Sequence, residues 1–366
     1  MLTLISVPRA FSDRTAVIQN SAIGSWVRLD ANCEVILFGN DPGVAEASLH
    51  HGARHEPCVT RTPQGTPILS DIFARANSIA RHPLLCFVNT DIVLLDDVLA
   101  ATRLVAAARQ NFLIVSSRFN DQIEEPLTFS NGWDLALRAR VRRQGRMYPA
   151  GGSDIFIYPR GLFGPVPPFA IGRSFWDNWL MDHALRSGAS LIDATQMITA
   201  VHQEHDYRHI SGMPADPNGD QLISMTEEGK GNLALARRLG RLATVYDATE
   251  ILTADGRLVS TLRPALVGRR IKAWLRRPDL LWPQDRGGRS CACARPFCGA
   301  AARACILIFR LQRHRNRTVR FTTYCNTTSL APDHVETPLA MALDGTRVEP
   351  PRQFHGLRLF AQDATA

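Results

Sequence analysis

The chain has 366 residues, 45% of them hydrophobic and 21% charged, with a formal net charge of +8. That is ordinary globular material, enough for one large domain or two smaller ones with a substantial core. No apolar run is long enough to span a bilayer, and Met1 to Pro8 lacks the basic start and small-residue cleavage pattern of a signal peptide, so a cytoplasmic protein is expected.

Thr3 to Val7 reads as a strand closed by Pro8, and Thr15 to Leu29 as an amphipathic helix with Ile18, Ala22, Trp26 and Leu29 on one face. Glu34 to Phe38 is a second strand, ended by the turn residues Gly39, Asn40, Asp41, Pro42 and Gly43. A helix from Val44 to about His51 leads to an extended piece around His55, and Ser70 caps a third helix carrying Ile72, Phe73, Ala76, Ile79 and Ala80 at helical spacing. Leu84 to Val88 is too short for a buried helix and reads as a buried strand, with a helical pattern resuming from Asp96 and a further strand over Phe112 to Ser117. Strands alternating with helices predict a doubly wound, mostly parallel central sheet. Neither a G-x-G-x-x-G after the first strand nor a P-loop is present, so the ordinary phosphate cradles are missing.

The strand at Val88 ends on Asn89-Thr90-Asp91 before the chain turns apolar again. Open α/β sheets bind ligands outside the carboxyl ends of their strands. Asn89 and Asp91, two apart, share a direction in extended geometry. Their oxygens suit Mg²⁺ or Mn²⁺, ions usually completed by substrate phosphates. An Asp that merely turns the chain is the bland alternative.

Beyond Ser117 the chain reads as irregular through Asn120, Asp121, Pro126, Asn131 and Gly132, the kind of excursion that builds a substrate wall. Gly151-Gly152-Ser153-Asp154 then precedes an alternating strand; the glycines permit close approach of a ligand, and Asp154 is either a partner for sugar hydroxyls or a solvated residue at a bulged strand start. Phe175, Trp176, Trp179, Leu180 and His183 lie at helical spacing, and core packing accounts for both indoles. Ser174 and Asp177 form an S-x-x-D capping box, so Asp177 is a cap, a general base, or both. Arg173 pairs with a phosphate or with a surface carboxylate. A last strand reaches His202, with His205 and Asp206 after it; these groups can bind a metal, although a single histidine is commonly structural.

Composition shifts near Leu262. From Arg263 to Arg320 basic residues greatly outnumber Asp279 and Asp285, and Ala265, Leu266, Val267, Ile271, Trp274 and Leu275 outline a short amphipathic helix over 264–277 with a basic opposite face. Such a helix packs on protein or touches an anionic membrane. The segment has no recognised nucleic-acid-binding pattern, so a nucleic-acid partner is not expected. Cys291, Cys293, Cys298 and Cys305 with His314 lack the paired knuckle spacing of a zinc site. Two domains follow from this reading: residues 1–262, and a basic, cysteine-containing extension, 263–366, partly disordered.

In their order along residues 1–210, Asn89-Thr90-Asp91, Gly151-Gly152-Ser153-Asp154, Trp176-Asp177-Asn178-Trp179 and His202-Gln203-Glu204-His205-Asp206 resemble a little-characterised branch of the nucleotide-sugar-dependent glycosyltransferases of GT-A fold. The resemblance implies transfer of a sugar from a nucleotide diphosphate sugar to a glycan, lipid or small-molecule hydroxyl. It would put Pro8, Arg9 and Asp41 at the base and ribose, Asn89 and Asp91 at the diphosphate, and Mn²⁺ or Mg²⁺ on Asp91 and His202. Asp177 would be the base of an inverting reaction, with Gly151, Gly152, Asp154, Arg173 and Trp176 toward the acceptor. Asn89 departs from the family's D-x-D, which has an acid at that position. A nucleotidyltransferase making the sugar nucleotide, or a non-catalytic sugar- or nucleotide-binding module, are the other readings; the first lacks its glycine- and basic-rich loop after strand one, where Pro8-Arg9-Ala10-Phe11 stands.

Overall fold

A computed structural model describes residues 1–148, 152–205 and 223–261, together with the backbone of 308–313 and 319–324. The chain divides into two compact units, Met1–Val267 and Gly268–Ala366. In the second unit the described residues form one antiparallel hairpin, Ile308–Arg313 with Val319–Tyr324. The amphipathic segment 264–277 and the cysteine cluster lie outside the described residues. Among those that are described, no helix is long and apolar enough to cross a membrane.

The first unit is built on a nine-stranded sheet. In chain order its first half runs β1 (Leu2–Ser6), α1 (Asp13–Trp26), β2 (Glu34–Phe38), α2 (Val44–His51), β3 (Arg54–Glu56), α3 (Leu69–Ile79), β4 (Leu84–Val88), β5 (Ile92–Leu94), α4 (Asp97–Ala108) and β6 (Phe112–Val115). Then come β7 (Phe119–Asp121), α5 (Trp133–Gln144), β8 (Arg146–Met147), β9 (Ile155–Pro159), α6 (Trp176–Arg186), β10 (Ser190–Asp193), β11 (Ala200–Gln203), α7 (Glu227–Leu239), β12 (Glu250–Leu252) and β13 (Leu258–Ser260). The sheet order is β13-β12-β10-β6-β9-β4-β1-β2-β3. All neighbours are parallel except at β9, antiparallel to β4 and β6, and at the edge strand β13.

Buried β residues alternate between two cores, as a period of two requires. Ile5, Ile36, Phe87 and Phe156 pack with Ile72, Phe73, Trp179 and Leu180 on one face; Leu4, Leu37, Cys86 and Val88 pack with Ile23, Trp26, Val98 and Val105 on the other. A small second sheet, β5-β11-β7-β8, covers a third cluster of Val93, Leu95, Leu137, Val141 and Val201. From β1 the chain winds outward through β2 and β3, then returns to put β4 on the other side of β1. The carboxyl ends of β1 and β4 therefore flank the switch point where such sheets bind ligands.

Three local expectations change. The third helix begins at Leu69, so Ser70 lies in its first turn; the isolated bridge of Ile68 to Ala170 and the bond from Leu69 N–H to Phe169 O fix its start instead. The segment after Ser117 is not irregular throughout, since it holds β7, α5 and β8. Helix α5 buries only Leu137 and Val141 and is studded with arginines, which hid its periodicity. The capping box at Ser174 and Asp177 does not form: α6 starts after Phe175, which adopts the left-handed conformation at φ 82°, and no side chain caps it.

Candidate active site

The turn between β4 and β5 is pinned from three sides. Asn89 N–H donates to Asp154 O at 3.1 Å, Thr90 Oγ1 to Val7 O at 3.4 Å, and the Asp91 carbonyl accepts from Gln203 N–H at 3.1 Å and from Gln203 Nε2 at 3.3 Å. Because Ile92 N–H closes the turn onto Asn89 O at 3.1 Å, the segment is not extended. Asn89 and Asp91 accordingly engage different partners, where their spacing in an extended strand suggested a shared direction. The Asn89 amide donates to Asp154 Oδ1 at 2.6 Å, while the Asp91 carboxylate faces β11.

There it meets two imidazoles. His205 Nε2 lies 3.1 Å and His202 Nε2 3.5 Å from Asp91 Oδ2, and the three groups place ligand atoms within 4.8 Å of one another. Burial pushes the Asp91 carboxyl upward, but the charge and hydrogen bonds of His202 and His205 outweigh it and hold the group well below the usual carboxylate range. Among the described residues, Asp91 Oδ1 and His202 Nδ1 are buried without a hydrogen-bond partner, and leaving the carboxylate oxygen so is costly unless something binds there. Ligand atoms sharing one ion at about 2.1 Å lie roughly 3.0–3.4 Å apart, close to the 3.1 and 3.5 Å from Asp91 Oδ2 to the two imidazoles. The residues therefore fit a divalent cation. Sequence reading placed His205 among metal-competent groups without assigning it a role; its signal was a second histidine three residues past His202, just beyond the end of β11.

Asp177 lines the same cleft. With the left-handed turn at Phe175 directing the start of α6, its carboxylate receives backbone N–H groups of Asn178, Asp177 and Ser153, yet burial is the larger influence and Asp154 adds to it. The carboxyl is pushed up to about 7. Gly152 makes room for it, since a Cβ on Gly152 would sit 2.5 Å from Asp177 Oδ2. Neighbouring Trp176 is almost fully buried, its ring 5.3 Å from both Phe87 and Phe156, so its bulk belongs to the core. Asp154 is engaged at both oxygens, by Asn89 and by Arg118 Nη1 at 2.5 Å, and the Arg118 guanidinium lies over the Tyr148 ring.

The remaining sequence candidates border the same cleft, of about 590 Å³, that holds Asp91, His202, His205, Asp154 and Asp177. Pro8 and Arg9 follow β1, where the Gln19 amide holds the Arg9 backbone by two bonds of 2.9 Å. Asp41 pairs with Arg61 at 2.5 Å. Arg173 pairs with Glu228 at 2.7 Å, and Glu228 also accepts from Thr62 and Thr66. Arg61 and Glu228 were not singled out in the sequence; their partners are 20 and 55 residues away in the chain, beyond any local pattern. Gly151 lies outside the described residues.

No family model and no curated protein matches the chain. Among solved structures, it is similar to TarS 1–349 of S. aureus in complex with UDP-GlcNAc, at 14% identity and a TM-score of 0.40, over 65% of this chain and 72% of that one. It is also similar to glucosyl-3-phosphoglycerate synthase of Mycobacterium tuberculosis with Mn²⁺, UDP and glucosyl-3-phosphoglycerate, at 16% identity and a TM-score of 0.38, over 64% and 79% of the two chains. A third is the mannosyltransferase PcManGT of Pyrobaculum calidifontis with GDP-Man and Mn²⁺, at 12% identity and a TM-score of 0.37, over 78% and 88%.

Proposed function

We propose that this protein is a GT-A glycosyltransferase that moves a sugar from a nucleotide diphosphate sugar to a hydroxyl acceptor, with inversion at the anomeric carbon. One observation carries the reading. A single cleft, at the switch point of a mostly parallel sheet, sets a carboxylate held ionised between two imidazoles together with a second carboxylate whose proton affinity lies near neutrality.

Asp177 is the base. A carboxyl pushed up to about 7 is part-ionised at neutral pH and basic enough to take the proton of an attacking hydroxyl. The acceptor oxygen bonds to the anomeric carbon as the bond to the departing diphosphate oxygen breaks, and the hydroxyl proton passes to the Asp177 carboxylate. Asp91 and His202, with His205 beside them, are the residues that would hold Mn²⁺ or Mg²⁺. Bound there, the ion would neutralise charge on the diphosphate. Pro8, Arg9 and Asp41 would bind the nucleoside. Gly152, Asp154 and Arg173 would meet the acceptor, with the small part of Trp176 that lines the cleft.

The test is turnover of UDP- and GDP-sugars by the purified protein with Mn²⁺ or Mg²⁺, together with binding of the free nucleotide diphosphates. Metal-dependent hydrolysis or transfer that Asp177→Asn abolishes while nucleotide binding persists is the expected result. Absence of turnover with every donor, joined to unchanged nucleotide binding in Asp91→Ala, would overturn the reading.

A further inference from the structure

Helix α5 is held to the core by little. Only Leu137 and Val141 are buried, and the rest of its attachment is ionic: Arg138 pairs with Asp96 and Asp97, and Arg140 with Asp121. Those pairs occupy the acids along its two flanks. At about 100° per residue, Leu135, Ala136, Ala139, Arg142 and Arg143 fall together on the side away from Leu137 and Val141. All five are exposed, Leu135 by 67%. Asp134, the helix's one acid, lies seven residues before Val141 and so on the inward side. Among the described residues, no ion pair engages Arg142 or Arg143.

The chain runs from this helix into β8, the outer strand of the small sheet, where Arg146 and Met147 are exposed. Arg146 pairs with Glu204, while Met147 is 47% exposed. From Arg138 to Arg146 there are five arginines and no acid. The next residue, Tyr148, lines the cleft, so this basic strip borders it.

A single exposed leucine is ordinary on a protein surface. Leu135 and Met147 beside unpaired guanidinium groups define a more particular partner. Nucleic acid would use the charge but has little use for the two apolar side chains. A bilayer with anionic headgroups uses both, since lipid phosphates meet the guanidinium groups while Leu135 and Met147 reach the acyl boundary. The arginine stems lie along apolar surface as their heads stay among the phosphates.

We propose that the outer face of α5, continued by Arg146 and Met147 of β8, docks on an anionic lipid bilayer and so brings the cleft to the membrane surface. The occupant follows from charge complementarity combined with the apolar side chains in the same strip. Docking goes beyond the proposed glycosyl transfer and does not depend on it.

The experiment is co-sedimentation of the full-length protein with vesicles of phosphatidylcholine, alone or with phosphatidylglycerol added. Binding to the anionic vesicles and not to the neutral ones is expected. Arg142→Glu combined with Arg143→Glu should weaken that binding by about tenfold or more, and Leu135→Ser by about threefold or more. Because the arginines beyond residue 262 can also attract an anionic surface, hydroxyl-radical labelling of the unmodified protein locates the contact. Anionic vesicles should lower the labelling of Met147 by roughly half or more. Met1, 40% exposed just before β1 and thus at the other end of the sheet from the cleft, should keep its labelling. The same measurement decides the matter if a variant fails to fold. No binding to anionic vesicles, unchanged labelling of Met147, or variants that bind as the parent does would each overturn the proposal. Weakening by the arginine pair with none by Leu135→Ser would mean an anionic polymer instead of a bilayer, and would overturn it as well. Vesicle binding needs no turnover, so its failure is distinct from a failure of the glycosyltransferase reading.

Discussion

Two carboxylates that line one cleft have been driven in opposite directions. Asp91 and Asp177 both experience burial that favours the neutral acid, but Asp91 has His202 and His205 at its oxygen and is held well below the ordinary range, whereas Asp177 meets backbone N–H groups and the neighbouring Asp154, and rises to about 7. Equal side chains thus acquire unlike chemistry from their partners. One becomes a fixed negative charge suited to a cation, the other a group able to gain and lose a proton near neutrality.

The sharpest way to break the contrast is to remove the base. Asp177→Asn keeps the shape of the side chain and deletes its proton affinity, and should lower turnover by roughly 10²–10⁴-fold, the usual range for a general base. Nucleotide binding, measured by calorimetry, should stay near that of the unmodified protein. Equal losses in both would place Asp177 in donor binding instead.

Gly152→Ala perturbs the same wall without changing its chemistry. The new methyl would fall 2.5 Å from Asp177 Oδ2, a separation that forces the carboxylate or the loop to move. Displacement on the order of 1 Å can cost about 10²-fold in rate. We expect a loss in kcat approaching that value with Mn²⁺ binding untouched; an unaffected kcat would mean that the position of Asp177 is immaterial.

Asn89→Asp acts on the link to Asp154. It restores the acid of the D-x-D pattern, yet the structure predicts harm, because the new carboxylate would confront Asp154 Oδ1 where the amide now donates at 2.6 Å. A lost charge-assisted hydrogen bond and a like-charge contact should cost about 1–3 kcal/mol of stability at pH 8, read by urea unfolding, and less at pH 4, where one acid can protonate. A variant as stable as the parent at pH 8 would show that Arg118 alone neutralises both acids.

These contrasts mark what was legible in the sequence. Strands such as Glu34–Phe38 and Leu84–Val88, and the helix Val44–His51, appear where hydrophobic runs and turn residues put them, because burial and period are local signals. That a ligand would lie beyond the carboxyl end of Leu84–Val88 followed from the alternation of strands and helices. The direction of Asn89 did not, since it depends on Asp154, 65 residues on. Nor could the sequence separate a capping Asp177 from a reactive one: the S-x-x-D pattern was present, and only the left-handed turn at Phe175 removes the cap. His205 was visible as a residue but not as a neighbour of Asp91, from which it is separated by 114 positions.

The smallest expected effect concerns stability. The native Asp177 carboxyl holds its proton up to about pH 7, whereas an unfolded chain releases it near the ordinary aspartate value of 3.8. Between those values the native state binds more protons than the unfolded one, so this residue makes stability fall as pH rises through the window, with the full penalty present above about 7. Asp177→Asn removes the titration. Its melting temperature should match the parent near pH 4 and exceed it by a few degrees at pH 8, an increment moderated by the water that reaches a cleft-facing group. Asp91→Asn should move the other way at pH 8, because its charge is favoured in the folded state and exchanging it for an amide weakens the contacts with His202 and His205. Identical pH profiles for the two variants would mean that the two carboxylates share one environment, and the division of labour between them would fail with it.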